Sequence, residues 1–480
     1  MANSFLWHDY ETFGADPRRD RPAQFAAIRT DEDLEPVGES VVLYCQPSAD
    51  VLPQPDACLI TGITPQQARD KGVPDNEFAA VIAEMMGQAG TCSVGFNNFR
   101  FDDEVTRHLF WRNFFDPYAR EYANGNSRFD LIDVARMMRA LRPEGLEWPD
   151  RDDGTPSFRL EALAAANDLD TSRAHDALAD VEVTLGLARR MRQTQPRLWN
   201  WALKMRDRSA VSTLLAARKP LLHASARLPA RTCATAPVLP LAGHPLIRSQ
   251  WLVWNLQEDP EPFLDLDSDH LADLLWTPAA DLPDEYRRLP IKQVRTNRCP
   301  MLAPMSVLDD AAAERLDIDR ARINAHASML HKHPELITRL QTLFEQPQGA
   351  APDPELDLYG GFVSGPDIAL RNRVRTLSGD ELAGLSGSFQ DERLNTLLFR
   401  YRARLWPEHL DHEEKVAWED YRRRRLLHDP DLGSIRLDEY EQRLGILMGE
   451  RPEQRSVLEA LACWPDEIGL HRPRDSHSIT

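Results

Sequence analysis

The chain has 480 residues, too many for one ordinary hydrophobic core, and its length sets the expectation of three independently folding units. With 42% hydrophobic and 28% charged residues it has the make-up of a globular protein, and no apolar run approaches the ~20 residues that a bilayer span requires, so a membrane protein is excluded from the expectation. The formal charge of −19 repels polyanions at long range; a nucleic-acid role would need local basic clusters, or cations held by the acids.

The first segment, Met1 to Trp7, has neither a basic start nor a long apolar stretch, so no signal peptide is expected and the cytoplasm is the expected compartment. Cys45, Cys58, Cys92, Cys233, Cys299 and Cys463 are widely spaced with no C-x-x-C pair, which reads as reduced thiols and not as a zinc knuckle or disulfide framework. Strands are predicted at Phe5 to Tyr10, Gln24 to Thr30, Ser40 to Cys45 and Thr91 to Phe96, with a helix at Glu77 to Met86, which gives a mixed α/β sheet domain over 1–190. The polar stretch Arg192 to Pro196 is taken as its end. A mixed second unit, 197–350, is predicted to hold a helix at Leu203 to Ala217, strands at Gln250 to Leu256 and Ile291 to Thr296, and helices within Asp309 to Glu345. The proline-rich stretch Gln346 to Pro354 reads as a linker. An all-helical third unit, 352–472, follows, with helices at Asp380 to Leu385, Glu392 to Trp406, His412 to Leu427 and Leu437 to Met448, and a frayed tail from Arg472.

Three segments carry the chemistry. Asp9 and Glu11 end the first strand two residues apart, so the period of two points them to one face, where a hard divalent cation would stabilise both ionised carboxylates. Taken alone, such a pair is more often two solvated acids at a strand end. After the strand at Thr91, Asp102 and Asp103 open a helix; either can simply favour the positive helix end, and Asp102 is taken as the metal ligand. Aromatic and basic residues follow closely, among which Tyr118 and Tyr122 suit base stacking and Arg107 suits a phosphate. In Arg173 to Thr184, His175 precedes Asp180 by five positions; a histidine on the loop and an acid on the following helix can face one cleft, with Asp176 as a helix cap.

D-x-E, a helix-opening acid and H-x-x-x-x-D together resemble the DEDDh exonuclease superfamily. His8 to Gly14, Arg21 to Thr30, Leu59 to Thr64 and Pro156 to Leu160 more closely resemble the bacterial exonuclease I family, as do Pro240 to Pro245, Leu264 to Asp269 and Phe399 to Arg404. The resemblance implies a ribonuclease H-like nuclease domain, a second domain with an SH3-like barrel and a helical C-terminal domain around a groove for one strand. It implies 3′-to-5′ hydrolysis of single-stranded DNA to 5′-mononucleotides by a monomer. In that scheme two Mg²⁺ ions, replaceable by Mn²⁺, are held by Asp9, Glu11, Asp102 and Asp180, with His175 as general base. Glu11, Arg159, Arg107, Tyr118 and Tyr122 would contact substrate, and Arg142 the acidic tail of single-stranded DNA-binding protein. Two rivals stand beside it: a DEDDh ribonuclease with the same acids, and a scaffold that kept the fold without the chemistry. The run Arg422 to Arg425 reads as a solvated face, and Trp251 and Trp254 as core.

Overall fold

A computed structural model describes residues 3–170, 172, 175–278, 280–283, 286–345 and 351–470. Arg173 and Ala174 of the histidine segment, positions 346–350 of the linker and the tail from Arg472 lie outside the described residues. The first unit contains β1 (Ser4–Thr12), β2 (Pro22–Thr30), β3 (Val41–Tyr44), α1 (Pro55–Thr61), α2 (Pro65–Lys71), α3 (Asp75–Gly87), β4 (Thr91–Gly95), α4 (Asp102–Arg112), β5 (Ser127–Asp130), α5 (Leu131–Leu141), α6 (Leu160–Ala166) and α7 (Ala177–Thr194). Its sheet runs β3-β2-β1-β4-β5, antiparallel on the β2 side of β1 and parallel on the β4 side. β1 is central and buried on both faces, which suits its apolar Phe5, Leu6 and Trp7.

In the second unit are α8 (Pro196–Lys204), α9 (Arg208–Ala216), β6 (Leu221–Ala224), β7 (Thr235–Gly243), β8 (Gln250–Asn255), α10 (Ser268–Trp276), β9 (Ile291–Arg295), β10 (Met301–Pro304), α11 (Asp310–Arg315), α12 (Arg320–Lys332) and α13 (Pro334–Thr342). Its strands form an antiparallel sheet in the order β10-β6-β7-β8-β9. The helix expected over Leu203 to Ala217 is two helices, because Asp207 accepts the Ser209 N–H at 2.8 Å and caps a new start. The polar stretch at 192–196, taken as the end of the first unit, is helical almost throughout: α7 continues to Thr194, and Pro196 opens α8 at a position where a proline needs no N–H. Trp199 of α8 packs edge-on against Phe129 of β5 at 5.7 Å, and Trp201 Nε1 donates to the Leu302 carbonyl at 2.7 Å, so α8 belongs to both units. One apolar core runs across them from Trp7 to Trp254, the latter fully buried.

The third unit is helical among its described residues: α14 (Gly365–Val374), α15 (Gly379–Ala383), α16 (Glu392–Leu405), α17 (His412–Arg423), α18 (Leu437–Glu450) and α19 (Arg455–Glu467). It docks on the first unit through shared cores, Trp111 and Phe114 with Leu394 and Tyr401, and Phe13 and Leu52 with Leu437 and Trp464. The arginine run is not a solvated face. Arg422 and Arg425 are buried and donate to the carbonyls of Ala49 and Asp50, each at 2.9 Å, because those backbone acceptors are covered by the docked helices. All six cysteines are free, five of them buried. No helix among the described residues is long and apolar enough to cross a membrane.

Candidate active site

β1 outruns its neighbour. Its pairing with β4 ends at Trp7 and Val94, whereas its pairing with β2 continues to Thr12, so the edge of Asp9 and Glu11 on the β4 side is open. The chain leaving β4 turns sharply there: a Cβ on Gly95 would lie 2.8 Å from Asn98 Cβ and 3.2 Å from the His8 carbonyl oxygen, so only glycine fits without displacement. Asn97 follows at φ 64°, and Asp130 holds this turn by accepting the N–H groups of Asn97 at 2.8 Å and Phe99 at 3.2 Å. The turn delivers Asp102 beside β1, where its Oδ1 accepts the Tyr10 N–H at 3.2 Å.

From the other side comes α7, which packs across β1 and β2. Asp176 caps it by accepting the Ala179 N–H at 3.1 Å, as the sequence suggested, and Asp180 sits in its first turn. His175, immediately before the cap, has φ 67°, a left-handed conformation rare for a side-chain-bearing residue.

Asp9, Glu11 and Asp180 each offer a carboxylate oxygen within 4.8 Å of the others. Asp102 stands outside that set but couples to it electrostatically. Burial, then Asp102, Glu11 and Asp180, push the Asp9 carboxyl well above the usual range. Burial, then Asp180, Asp102 and Asp176, raise Glu11 to about 9. Asp102 is raised to about 8, chiefly by burial and then by Asp103 and Asp130, against the opposing backbone N–H groups of Asp102 and Tyr10. Asp180 is raised to about 6 by burial and Glu161, while His175 pulls it down. Four carboxyls that resist ionising together are matched by oxygen-preferring divalent cations; among the described residues no ring nitrogen or thiolate joins the set of three.

Around the cluster, Arg159 is exposed at the N-cap of α6, which packs on α7, and forms no ion pair among the described residues. Tyr118 is half-buried and Tyr122 is 69% exposed. Arg107, expected to suit a phosphate, is already paired within the protein. Only 4% exposed, it donates to Glu104 at 2.7 Å, to Glu121 at 2.8 and 3.0 Å and to the Tyr359 hydroxyl at 3.2 Å, so a phosphate would have to compete with these acceptors. Its guanidinium lies 5.5 Å from the Tyr118 ring centre and braces that ring. Arg142, at the end of α5, donates to Asp309 at 2.9 Å and to the Val307 carbonyl at 3.0 Å. The sequence reading missed Asp130, Glu104 and the pairing of Asp103 with Arg120 and Arg128; the run of three acids at 102–104 was a signal for Glu104 alone.

An oxygen-only carboxylate cluster at the open end of the central strand of a mixed sheet defines a cation-dependent nuclease. Residues 6–188 match the Exonuclease family, residues 206–346 the Exonuclease I SH3-like domain and residues 352–468 the Exonuclease I C-terminal domain. The chain is 42% identical to exodeoxyribonuclease I of Escherichia coli over 475 residues, 98% of each chain. It is similar to the solved structure of a moderately thermophilic exonuclease I from Methylocaldum szegediense, with 47% identity and a TM-score of 0.93 over 98% of this chain and 100% of that one. It also resembles in fold a zinc-bound E. coli exonuclease I–single-stranded DNA complex, at 41% identity and a TM-score of 0.91 over 98% of this chain and 100% of that one. A structure of SSB/Exonuclease I with the inhibitor CFAM matches at 41% identity and a TM-score of 0.89 over 98% and 100% of the two chains. The chain belongs to the exonuclease I family and is a metal-dependent hydrolase of the exodeoxyribonuclease type.

Proposed function

We propose that the protein degrades single-stranded DNA from its 3′ end to 5′-mononucleotides, in DNA repair and recombination. The observation that carries the reading is the convergence of Asp9, Glu11 and Asp180 within 4.8 Å, with Asp102 coupled to them. Asp9, Glu11, Asp102 and Asp180 would hold two Mg²⁺ ions, or Mn²⁺ in their place. Bound cations supply two things here: a lowered pKa for the attacking water and neutralisation of charge on the leaving 3′ oxygen. His175 accepts the proton of the attacking water at an imidazole nitrogen, and its place just ahead of α7 puts it on the Asp180 side of the cleft. Cations held by the carboxylates would give the scissile phosphate a positive seat that the acids alone deny it, and Glu11 would also border the terminal nucleotide. Arg159, exposed and without an ion-pair partner among the described residues, meets a phosphate of the incoming strand. Tyr118 and Tyr122 offer faces to bases, with Arg107 behind Tyr118.

The exodeoxyribonuclease I relative and the zinc-bound DNA complex support this substrate, and the SSB/Exonuclease I structure supports a partner. That partner is the acidic tail of single-stranded DNA-binding protein, with Arg142 as one contact. The reading places a monomeric enzyme in the cytoplasm, consistent with six free thiols. The test is a 5′-labelled single strand incubated with Mg²⁺, alongside matched RNA, duplex DNA, 3′-blocked DNA and an EDTA control. A descending ladder on the free single-stranded DNA alone, abolished by EDTA, is expected. Cleavage of RNA with DNA spared overturns the substrate, and no cleavage of any strand overturns the activity.

A further inference from the structure

Helix α4 is buried along its whole length, and its first turn carries Asp102, Asp103 and Glu104 in succession. A helix start is commonly pinned by a capping side chain on an extended residue. This one has no side-chain cap, and Phe101 at the cap position has φ −123° and ψ −76°, away from the extended conformation. The turn is held from outside instead. Asp103 accepts Arg120 at 2.7 Å and Arg128 at 2.5 Å, both from the first domain, and Arg128 also reaches the Asn297 carbonyl of the second domain at 2.9 Å. Glu104 gathers partners from all three domains. Its Oε1 accepts Arg107 at 2.7 Å from its own helix and Arg298 at 3.0 Å from the second domain, and its Oε2 accepts the Tyr359 hydroxyl at 2.5 Å from the third.

Residues two apart on a helix do not share a face, so Glu104 acts on Asp102 through the backbone of the turn they share. Asp102 is also the one of the four acids that stands outside the 4.8 Å set, held to β1 by a single 3.2 Å bond from Tyr10 N–H. Its distance from the other three is therefore set by where the first turn of α4 rests. We infer that Glu104 is a positioning residue, and that Arg298 and Tyr359, reaching it from the second and third domains, place Asp102 for cation binding. The cation site of the first domain is thereby completed by the docking of the other two. This rests on the reading of Asp102 as a cation ligand.

The test uses the full-length Tyr359→Phe chain, which loses the hydroxyl but keeps the ring against His108 and Tyr118, whose centres lie 6.4 and 6.5 Å away. Arg298→Gln, from the other domain, is the second variant. Mn²⁺ affinity is measured by calorimetry without DNA, together with kcat, the KM for an oligonucleotide and the Tm. Both variants are expected to bind Mn²⁺ about 10-fold more weakly, as when a residue behind a metal ligand is removed. Their kcat should fall at limiting Mn²⁺ and recover when Mn²⁺ is raised, with KM for the strand unchanged. Unchanged Mn²⁺ affinity with a raised KM would make Tyr359 a strand contact and overturn the inference. Unchanged Mn²⁺ affinity with only a lower Tm would reduce the junction to a domain brace and overturn it equally. A wild-type chain that binds no Mn²⁺ would instead refute the assignment of the cation site, and the inference with it.

Discussion

Arg142 donates to Asp309 Oδ2 at 2.9 Å, while Oδ1 of the same carboxylate caps α11 by accepting the Ala312 N–H at 2.8 Å. The arginine at the proposed tail-binding surface is therefore already paired, and an incoming carboxylate must displace or share that partner. Arg142→Ala is expected to weaken binding of an acidic tail peptide by about 10-fold, the cost of one charge-assisted contact at a half-exposed site. Asp309→Asn should strengthen it, since the amide leaves the guanidinium without a competing charge. Fluorescence anisotropy with labelled peptide measures both, and loss of the difference in about 1 M salt is expected for an exposed ionic contact. Equal affinities for the wild type and Arg142→Ala would remove Arg142 from the interface.

The active-site acids give a pH signature in the absence of cations. Their folded-state values lie above those of an unfolded chain, so the stabilising neutral forms are fully present below the ordinary carboxylate range and are lost as pH rises through them. The window follows from Asp180 at about 6, Asp102 at about 8 and Glu11 at about 9, with burial the first cause in each case. In EDTA the Tm should fall progressively from about pH 4, where unfolded carboxylates ionise, to about pH 9, where the last folded-state carboxyl does, with Asp9→Asn flattening the fall. Mg²⁺ should raise the Tm more at the alkaline end, where it no longer displaces protons. A flat profile in EDTA would mean that the folded protein does not raise these carboxyls above their ordinary range.

The part of this site that the sequence disclosed is the part fixed by local geometry. Asp9 and Glu11 share a face by the strand period alone, and Asp176 and Asp180 are placed by where α7 begins. The partners of Arg107 were not legible because two of its acceptors, Glu121 and Tyr359, are 14 and 252 positions away, and nothing in a basic–aromatic stretch reveals whether a guanidinium is already paired. Arg422 and Arg425 failed for the same reason, their acceptors lying in the first domain. In the second domain β7 escaped notice although it is flanked on both sides, because Pro237 and Pro240 speak against an inner strand. The register slips between Pro240 and Ala242, which absorbs one of the missing N–H groups.

Two ion pairs at the interface of the first and third domains separate burial from bond length. Arg404 meets Asp50 at 2.8 Å and Arg443 meets Asp56 at 2.6 Å, but the first pair is buried and the second about half exposed. Burial alone would raise Asp50, yet Arg404, Arg21 and Arg425 outweigh it and hold the carboxyl far below its usual range. Asp50→Asn should cost about 3–5 kcal/mol, because Arg404, Arg21 and Arg425 lose one buried acid and are left with Glu355 alone to offset them. Asp56→Asn should cost at most about 1 kcal/mol. Thermal unfolding of both variants tests the contrast, and similar losses would mean that the interface admits water to Asp50.

The proposed division of labour between Asp180 and His175 predicts two kinds of inactive enzyme. Asp180→Ala removes an oxygen from the three-carboxylate set and should abolish both cation binding and turnover. His175 holds no place in that set, so its loss should leave cation affinity intact and lower kcat by about 10²- to 10⁴-fold, the usual contribution of a general base. The replacement of choice is glycine, because His175 sits at φ 67°. Relief of left-handed strain, about 1 kcal/mol, and the added freedom of the unfolded glycine chain, about 0.5–1 kcal/mol, oppose each other. The Tm of His175→Gly should therefore stay within about 2 °C of the wild type while the rate collapses. Calorimetric titration with Mn²⁺ beside single-turnover kinetics distinguishes the two variants; equal loss of cation in both would show that His175 serves the site as a ligand or a brace and not as its base.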